Sequence, residues 1–210
     1  MESLDLFLQT FFNLEIAARY WPDILSGAGI TIGLSIVVTI TGLALGLALA
    51  LLRALQRTWL SLPIIAFFFA FPLIGISMSA FTATWLSLSL VLAAYAEESV
   101  WGGILSLPRG QSEAARSTGL TWWQTMTSVV LPQAVRIALP PLTNRVISVS
   151  KNVALGSVVA LSEVLNNAQS ATSNAGNPTP LTMAALAYLV IFIPVMFGAR
   201  RLENRLQWRV

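Results

Sequence analysis

The sequence predicts an all-α membrane protein with five transmembrane helices, its N-terminus outside and its C-terminus in the cytoplasm. Three observations carry this. Of 210 residues, 56% are hydrophobic and 10% charged, with a mean hydropathy of +0.74, whereas soluble domains are nearer a quarter charged. No charge falls between Asp23 and Arg53, nor between Arg57 and Glu97. A helix needs about 20 apolar residues to cross a bilayer, and both runs exceed that. Finally, the basic residues are unevenly shared among the connections, which orients the chain.

The first segment, "MESLDLFLQTFFNLEIAARYWPD", begins acidic and does not read as a signal peptide, which begins basic. Leu4, Phe7, Leu8 and Phe11 recur at helical spacing with Asp5, Gln9 and Asn13 elsewhere. That pattern predicts an amphipathic helix lying on the membrane surface over residues 1–22, with Tyr20 and Trp21 as interfacial aromatics. Residues 23–210 are read as one transmembrane domain.

Span one is expected from Ile24 to Leu52, span two from Trp59 to Ile76, and span three from Ala80 to the Glu97–Glu98 pair. A polar segment over 106–140 follows. Span four is expected from Leu142 to Leu165 and span five from Leu181 to Ala199. With that layout Arg53, Arg57, Arg109, Arg116, Arg136, Arg200, Arg201, Arg205 and Arg209 fall on one side, and Arg19 alone on the other. A Lys/Arg excess marks the cytoplasmic face. Gly29/Gly33 and Gly42/Gly46 in span one are small-residue pairs that let helices approach closely. Pro72 and Pro194 are expected kinks or ends.

The polar segment encodes a helix, a tight turn and a second helix. Pro108 opens the first helix, "QSEAARST" continues it with good helix formers, and Gly119 ends it in the left-handed conformation. Thr121 and Gln124 in "TWWQ" then form a capping box, and Pro132 disturbs the helix that follows. Trp122 and Trp123 are costly to leave in water and should pack on the membrane interface or a partner.

Span four is unusually polar. Arg145, Lys151 and Glu163 would each cost roughly 2.5–3.5 kcal/mol at a bilayer centre. Asn144, Ser148 and Lys151 lie at i, i+4 and i+7, one stripe of a helix, with Asn152 beside them. Such a stripe reads as a hydrated path or a subunit interface. The alternative is that Arg145 and Lys151 snorkel to the cytoplasmic surface.

Several chemistries are excluded. The chain has neither Cys nor His and only one lysine, Lys151. Disulfides, thiol catalysis, histidine bases and most transition-metal sites are therefore absent. No Gly-Lys-Ser/Thr loop is present, so any ATP, with its Mg, is expected on another subunit and no cofactor on this one. Nothing points to nucleic acid.

Glu113-Ala114-Ala115, three residues, Gly119, nine residues, then Val129-Val130-Leu131-Pro132 resembles the EAA motif of bacterial ABC importer permeases. "LPRGQSEAARSTGL", "VLPQAVRIALPPLTN" and "KNVALGSVVALSEVL" resemble the polar amino acid branch, of the histidine/glutamine/arginine/opine type. The resemblance covers most of the chain from Ile24 onward and implies a type I importer permease in the bacterial inner membrane. By this resemblance Glu113, Ala114, Ala115, Gly119, Leu131 and Pro132 dock on an ABC ATPase dimer. Tyr95, Glu98, Asn144, Ser148, Lys151 and Asn152 line the substrate path or the interface with a second permease chain. An extracytoplasmic amino acid-binding protein delivers substrate.

Three departures bear on substrate handling. "SLPII" (61–65) stands for Arg-Gly-Thr-Pro-Leu-Leu, Val91 for an asparagine before "AY", and Trp101 for an arginine in Glu-x-x-Arg-Gly-Gly. They fit a sister chain that closes the path without contacting substrate, or a degenerate permease. The other rivals are a stand-alone channel or secondary carrier and an intramembrane enzyme. The first leaves the EAA segment unexplained. The second lacks a carboxylate pair, since the adjacent Glu97 and Glu98 point about 100° apart.

Overall fold

A computed structural model describes residues 2–54 and 78–206. Span two, Arg57, "SLPII", Pro72 and Arg209 lie outside the described residues. The described chain is helical: α1 (Glu2–Phe11), α2 (Leu14–Ala54), α3 (Ala80–Ser106), α4 (Arg109–Ser117), α5 (Trp122–Thr125), α6 (Leu131–Lys151), α7 (Val164–Ala175) and α8 (Thr179–Leu206). A π-turn, Met126–Val130, joins α5 to α6, and a 3-10 helix, Asn152–Val159, extends α6.

Among the described residues, three helical stretches are long and apolar enough to cross a membrane: Ser3–Ala54, Ala80–Ser106 and Thr179–Arg201. They contain spans one, three and five. Span four is corrected by the structure. Instead of one helix over Leu142–Leu165, the stretch Trp122–Val159 meets Val164–Ala175 at a bend of 44°. The 3-10 helix ends at Ala160, whose φ of 59° is left-handed. Glu163 then starts a new helix as its N-cap. Pro132 disturbs its helix, as expected. The helix does not stop there. It opens into the π-turn just ahead, where the proline ring would otherwise press on the carbonyl four residues back.

The chain divides into two compact units. Unit 1 comprises Met1–Val38, Met78–Leu88 and Val149–Phe197. Its core joins Ile24, Val164, Ala168, Met183 and Ala184. Gly27 packs against the start of α7, where a Cβ would lie 2.8–2.9 Å from the Glu163 and Val164 backbone. The α1–α2 corner is pinned to the start of α8. Thr179, 1% exposed, accepts from the Asn13 amide (3.2 Å) and donates to the Thr10 carbonyl (3.2 Å). Asn13 caps α2 by accepting from the Glu15 and Ile16 amides at 3.0 and 3.2 Å. Leu4, Phe7, Leu8 and Phe11 are exposed along α1, as is Leu6.

Unit 2 comprises Thr39–Ser77, Ser89–Ser148 and Gly198–Val210. Its core is made of small residues, with Ala50, Ala96, Val100, Ala138 and Leu142 buried together. The two glycine pairs of α2 now separate. A Cβ at Gly42 would strike the Leu92 side chain and one at Gly46 would strike Ala96, whereas Gly29 and Gly33 meet nothing within 4 Å. Only the second pair lets α2 and α3 approach closely. Gly46→Ala is expected to lower stability by about 1–3 kcal/mol, whereas Gly33→Ala should stay within about 1 kcal/mol of the parent. Denaturation of both variants in detergent checks this. Equal losses would show that the packing is misassigned.

Candidate functional site

The polar segment folds largely as its residues dictate. Pro108 precedes α4, and α4 buries none of its residues. Thr118 and Gly119 close it through bonds to the Ala114 and Arg116 carbonyls, at 3.3 and 3.0 Å. Gly119 has φ +92°, which side-chain-bearing residues rarely adopt. The capping box is complete. The Gln124 amide donates to Thr121 Oγ1 at 3.3 Å, and the Thr121 amide donates to Gln124 Oε1 at 2.8 Å. Trp122 and Trp123 meet edge to face, 5.0 Å between centroids, and Trp123 is 51% exposed. Two short, rigid helices thus meet at a fixed corner.

Of the six docking residues, Glu113, Ala114, Gly119 and Pro132 are exposed and Ala115 is half-buried. Leu131 packs on the unit 2 core instead of facing out. Glu113 therefore stands in solvent on a helix that spends no side chain on its own interior.

The path residues are placed as follows. In unit 2, Asn144 and Ser148 are exposed on α6, with the Ser148 hydroxyl returned to the Asn144 carbonyl at 2.9 Å. Glu98 is exposed, and Tyr95 is half-buried beneath Arg145, whose guanidinium lies 4.1 Å from the ring centroid. In unit 1, Lys151 and Asn152 are exposed where α6 passes into the 3-10 helix. Lys151 lines a cavity of about 450 Å³ with Tyr188 and Phe192, which stack at 5.9 Å. The stripe of polar residues on α6 thus faces outward rather than into either core.

Two constellations were missed from sequence. The first centres on Glu163. Its side chain is fully buried, yet its carboxylate accepts from the Leu165 and Asn166 amides (2.9 and 2.8 Å) and from the Tyr188 hydroxyl (2.6 Å). A charge that looked costly is spent on capping α7 and tying it to α8. No local sequence signal marked it, because the left-handed Ala160 and the new helix after Glu163 are visible only in the structure. The second joins Arg53 to Glu97 at 2.7 Å and to the Trp101 ring at 4.9 Å. Trp101, where the family pattern has arginine, thus receives a cation from α2 instead of carrying one.

No group of metal-ligating residues occurs among the described residues. The fold is that of a multi-spanning helical protein with an exposed helix–turn–helix. Residues 42–208 match the family described as "Binding-protein-dependent transport system inner membrane component", and the chain belongs to it. It is a permease component of an inner membrane transport system.

Relatives narrow the comparison. The chain is 38% identical over 174 residues to the probable amino-acid ABC transporter permease protein YckA of Bacillus subtilis, covering 75% of this chain and 77% of YckA. It is 36% identical over 142 residues to the probable glutamine ABC transporter permease protein GlnM of the same organism, covering 67% of this chain and 66% of GlnM. Among solved structures, a chain of an amino acid ABC transporter crystallised with histidines superposes with a TM-score of 0.76 at 27% identity, over 90% of this chain and 96% of that one. An inward-facing MetNI methionine transporter superposes at 0.69 with 19% identity, over 88% and 96%. That last likeness shows the fold alone.

Glu163→Ala removes three hydrogen bonds at once and is expected to cost about 3 kcal/mol. Tyr188→Phe removes one and should cost about 1 kcal/mol. Denaturation of the purified chain measures both, and a parent-like Glu163→Ala would contradict the capping role.

Proposed function

We propose that this chain is a permease subunit of an ATP-driven importer for polar amino acids, coupled through α4 and α5 to a separate ATPase. The exposed, internally capped helix–turn–helix bearing Glu113 carries the reading. A loop so rigid and so uncovered is suited to fit the groove of another protein. In this reading Glu113 meets a basic group of the ATPase, Ala114 and Ala115 allow close approach, and Gly119 sets the angle between the helices. ATP and Mg stay on the ATPase dimer.

Closure of the ATPase pulls on α4 and α5. From Trp122 the helix runs on through the π-turn to Lys151, so the pull reaches the polar stripe of α6. The spans then rock between outward-open and inward-open states, a rigid-body two-state change. A second permease chain completes the path, and an extracytoplasmic binding protein delivers substrate. The names of YckA and GlnM and the histidine-bearing structure support polar amino acids as cargo.

One observation favours a narrower role. Trp101 is occupied by Arg53, which itself pairs with Glu97. That side chain is engaged in packing α2 on α3, as suits a sister chain that closes the path without contacting substrate.

Gentle purification of the tagged chain from its native membrane, followed by mass spectrometry, tests the docking. An ABC ATPase should accompany the parent chain and be lost from Glu113→Lys and Gly119→Leu. An ATPase indifferent to both changes, or none at all, would overturn the coupling role.

A further inference from the structure

A second cavity, about 250 Å³, lies in unit 2 where α3 gives way to α4 and α5. Three independent features make it polar on one side. Arg109, Ser112 and Arg116 line it from α4 at i, i+3 and i+7, one face of that helix. No ion pair to either arginine is found among the described residues. Thr125 lines the cavity too. It is 3% exposed, and its hydroxyl has no hydrogen-bond partner. A buried polar group is seldom left so, because losing water without a replacement bond is costly. The N-cap of α4 is Pro108, which offers no side-chain acceptor to the first-turn amides. A helix N-terminus in that condition attracts anions.

We propose that this cavity binds a phosphate group. Two guanidinium forks, a hydroxyl donor and a helix N-terminus are the donor set that phosphate chemistry recruits. The opposite wall is apolar, made by Ile104 and Leu107 at the end of the membrane-spanning α3 and by Met126. The source is either the headgroup of an anionic phospholipid in the adjacent leaflet or a soluble phosphate from the cytoplasm. Ala114, on the proposed docking face, lies about 160° around α4 from Ser112, but Glu113 lies only about 40° from Arg109, so the cavity borders the docking surface, and an acidic side chain of the ATPase is the rival occupant.

The test uses the intact transporter in nanodiscs, read by native mass spectrometry and calorimetry. One arm compares phosphatidylcholine discs with and without phosphatidylglycerol. The other titrates inorganic phosphate and glycerol 1-phosphate into phosphatidylcholine discs. Phosphatidylglycerol retained through washing identifies the lipid source, and saturable binding of the soluble probes identifies the aqueous one. Either supports the proposal if the double variant Arg109→Gln/Arg116→Gln weakens binding at least tenfold. Thr125→Val keeps the side-chain shape and removes only the orphan hydroxyl. It should weaken binding severalfold while leaving thermal stability at or above the parent. The proposal is overturned if no probe binds, or if both variants bind as the parent does. It is equally overturned if Ser112→Cys cross-links to an ATPase carboxylate region while no phosphate binds.

Discussion

The structure depends on one constraint: hydrocarbon offers no hydrogen bonds, so polar groups placed in it are driven to find partners within the protein. Continuous helices meet it by construction. The many hydroxyls meet it locally by bonding back one turn, as Thr31 does to Gly27, Thr84 to Ala80 and Ser99 to Tyr95. The constraint bites at Ala160–Glu163, where the helix is interrupted. There the Ala160 and Leu161 amides turn back to the Ser157 and Gly156 carbonyls, both at 3.0 Å. Glu163 receives the first amides of α7 and the Tyr188 hydroxyl. A fully buried carboxylate is tolerable because its bonds are all made. Gly27 is the complement, since only a residue without a side chain lets α2 approach that cap.

This explains what was legible in the sequence and what was not. Signals carried by adjacent residues were read well. Gly119 and the Thr121/Gln124 box act locally and sit in the expected conformation, while Pro108 stands one position ahead of its helix as the N-cap. Apolar runs gave spans one, three and five because length and composition decide them. The break in span four was not legible. Glutamate is a weak N-cap by preference, and what makes Glu163 effective here is Tyr188, 25 residues away. Likewise no local pattern separates Gly29/Gly33 from Gly42/Gly46. Which face of a helix meets a neighbour is a tertiary fact. Arg53 on Trp101 is another, joining residues of two different helices.

The exposed polar groups tell the complementary half. A chain this apolar leaves Asn144, Ser148 and Lys151 outward on α6 and Glu113 outward on α4. Neither set contributes to the interior of its own unit. In a membrane such exposure is tolerable only against water or against another protein. The proposed permease, paired with a second chain around a hydrated path and docked on an ATPase, would meet both conditions. The π-turn and the 3-10 helix flank α6 at its two ends. Departures of this kind recur at functional sites.

Because the chain has no cysteine, a single thiol at Ser148→Cys reports access to the proposed path without further changes. The decisive measurement is its labelling by a membrane-impermeant reagent, from each side of sealed vesicles holding the complete transporter, with and without ATP and vanadate. Labelling that moves from one side to the other with the nucleotide state is expected. Equal labelling in both states, or none from either side, would contradict a path along α6 that the ATPase opens and closes.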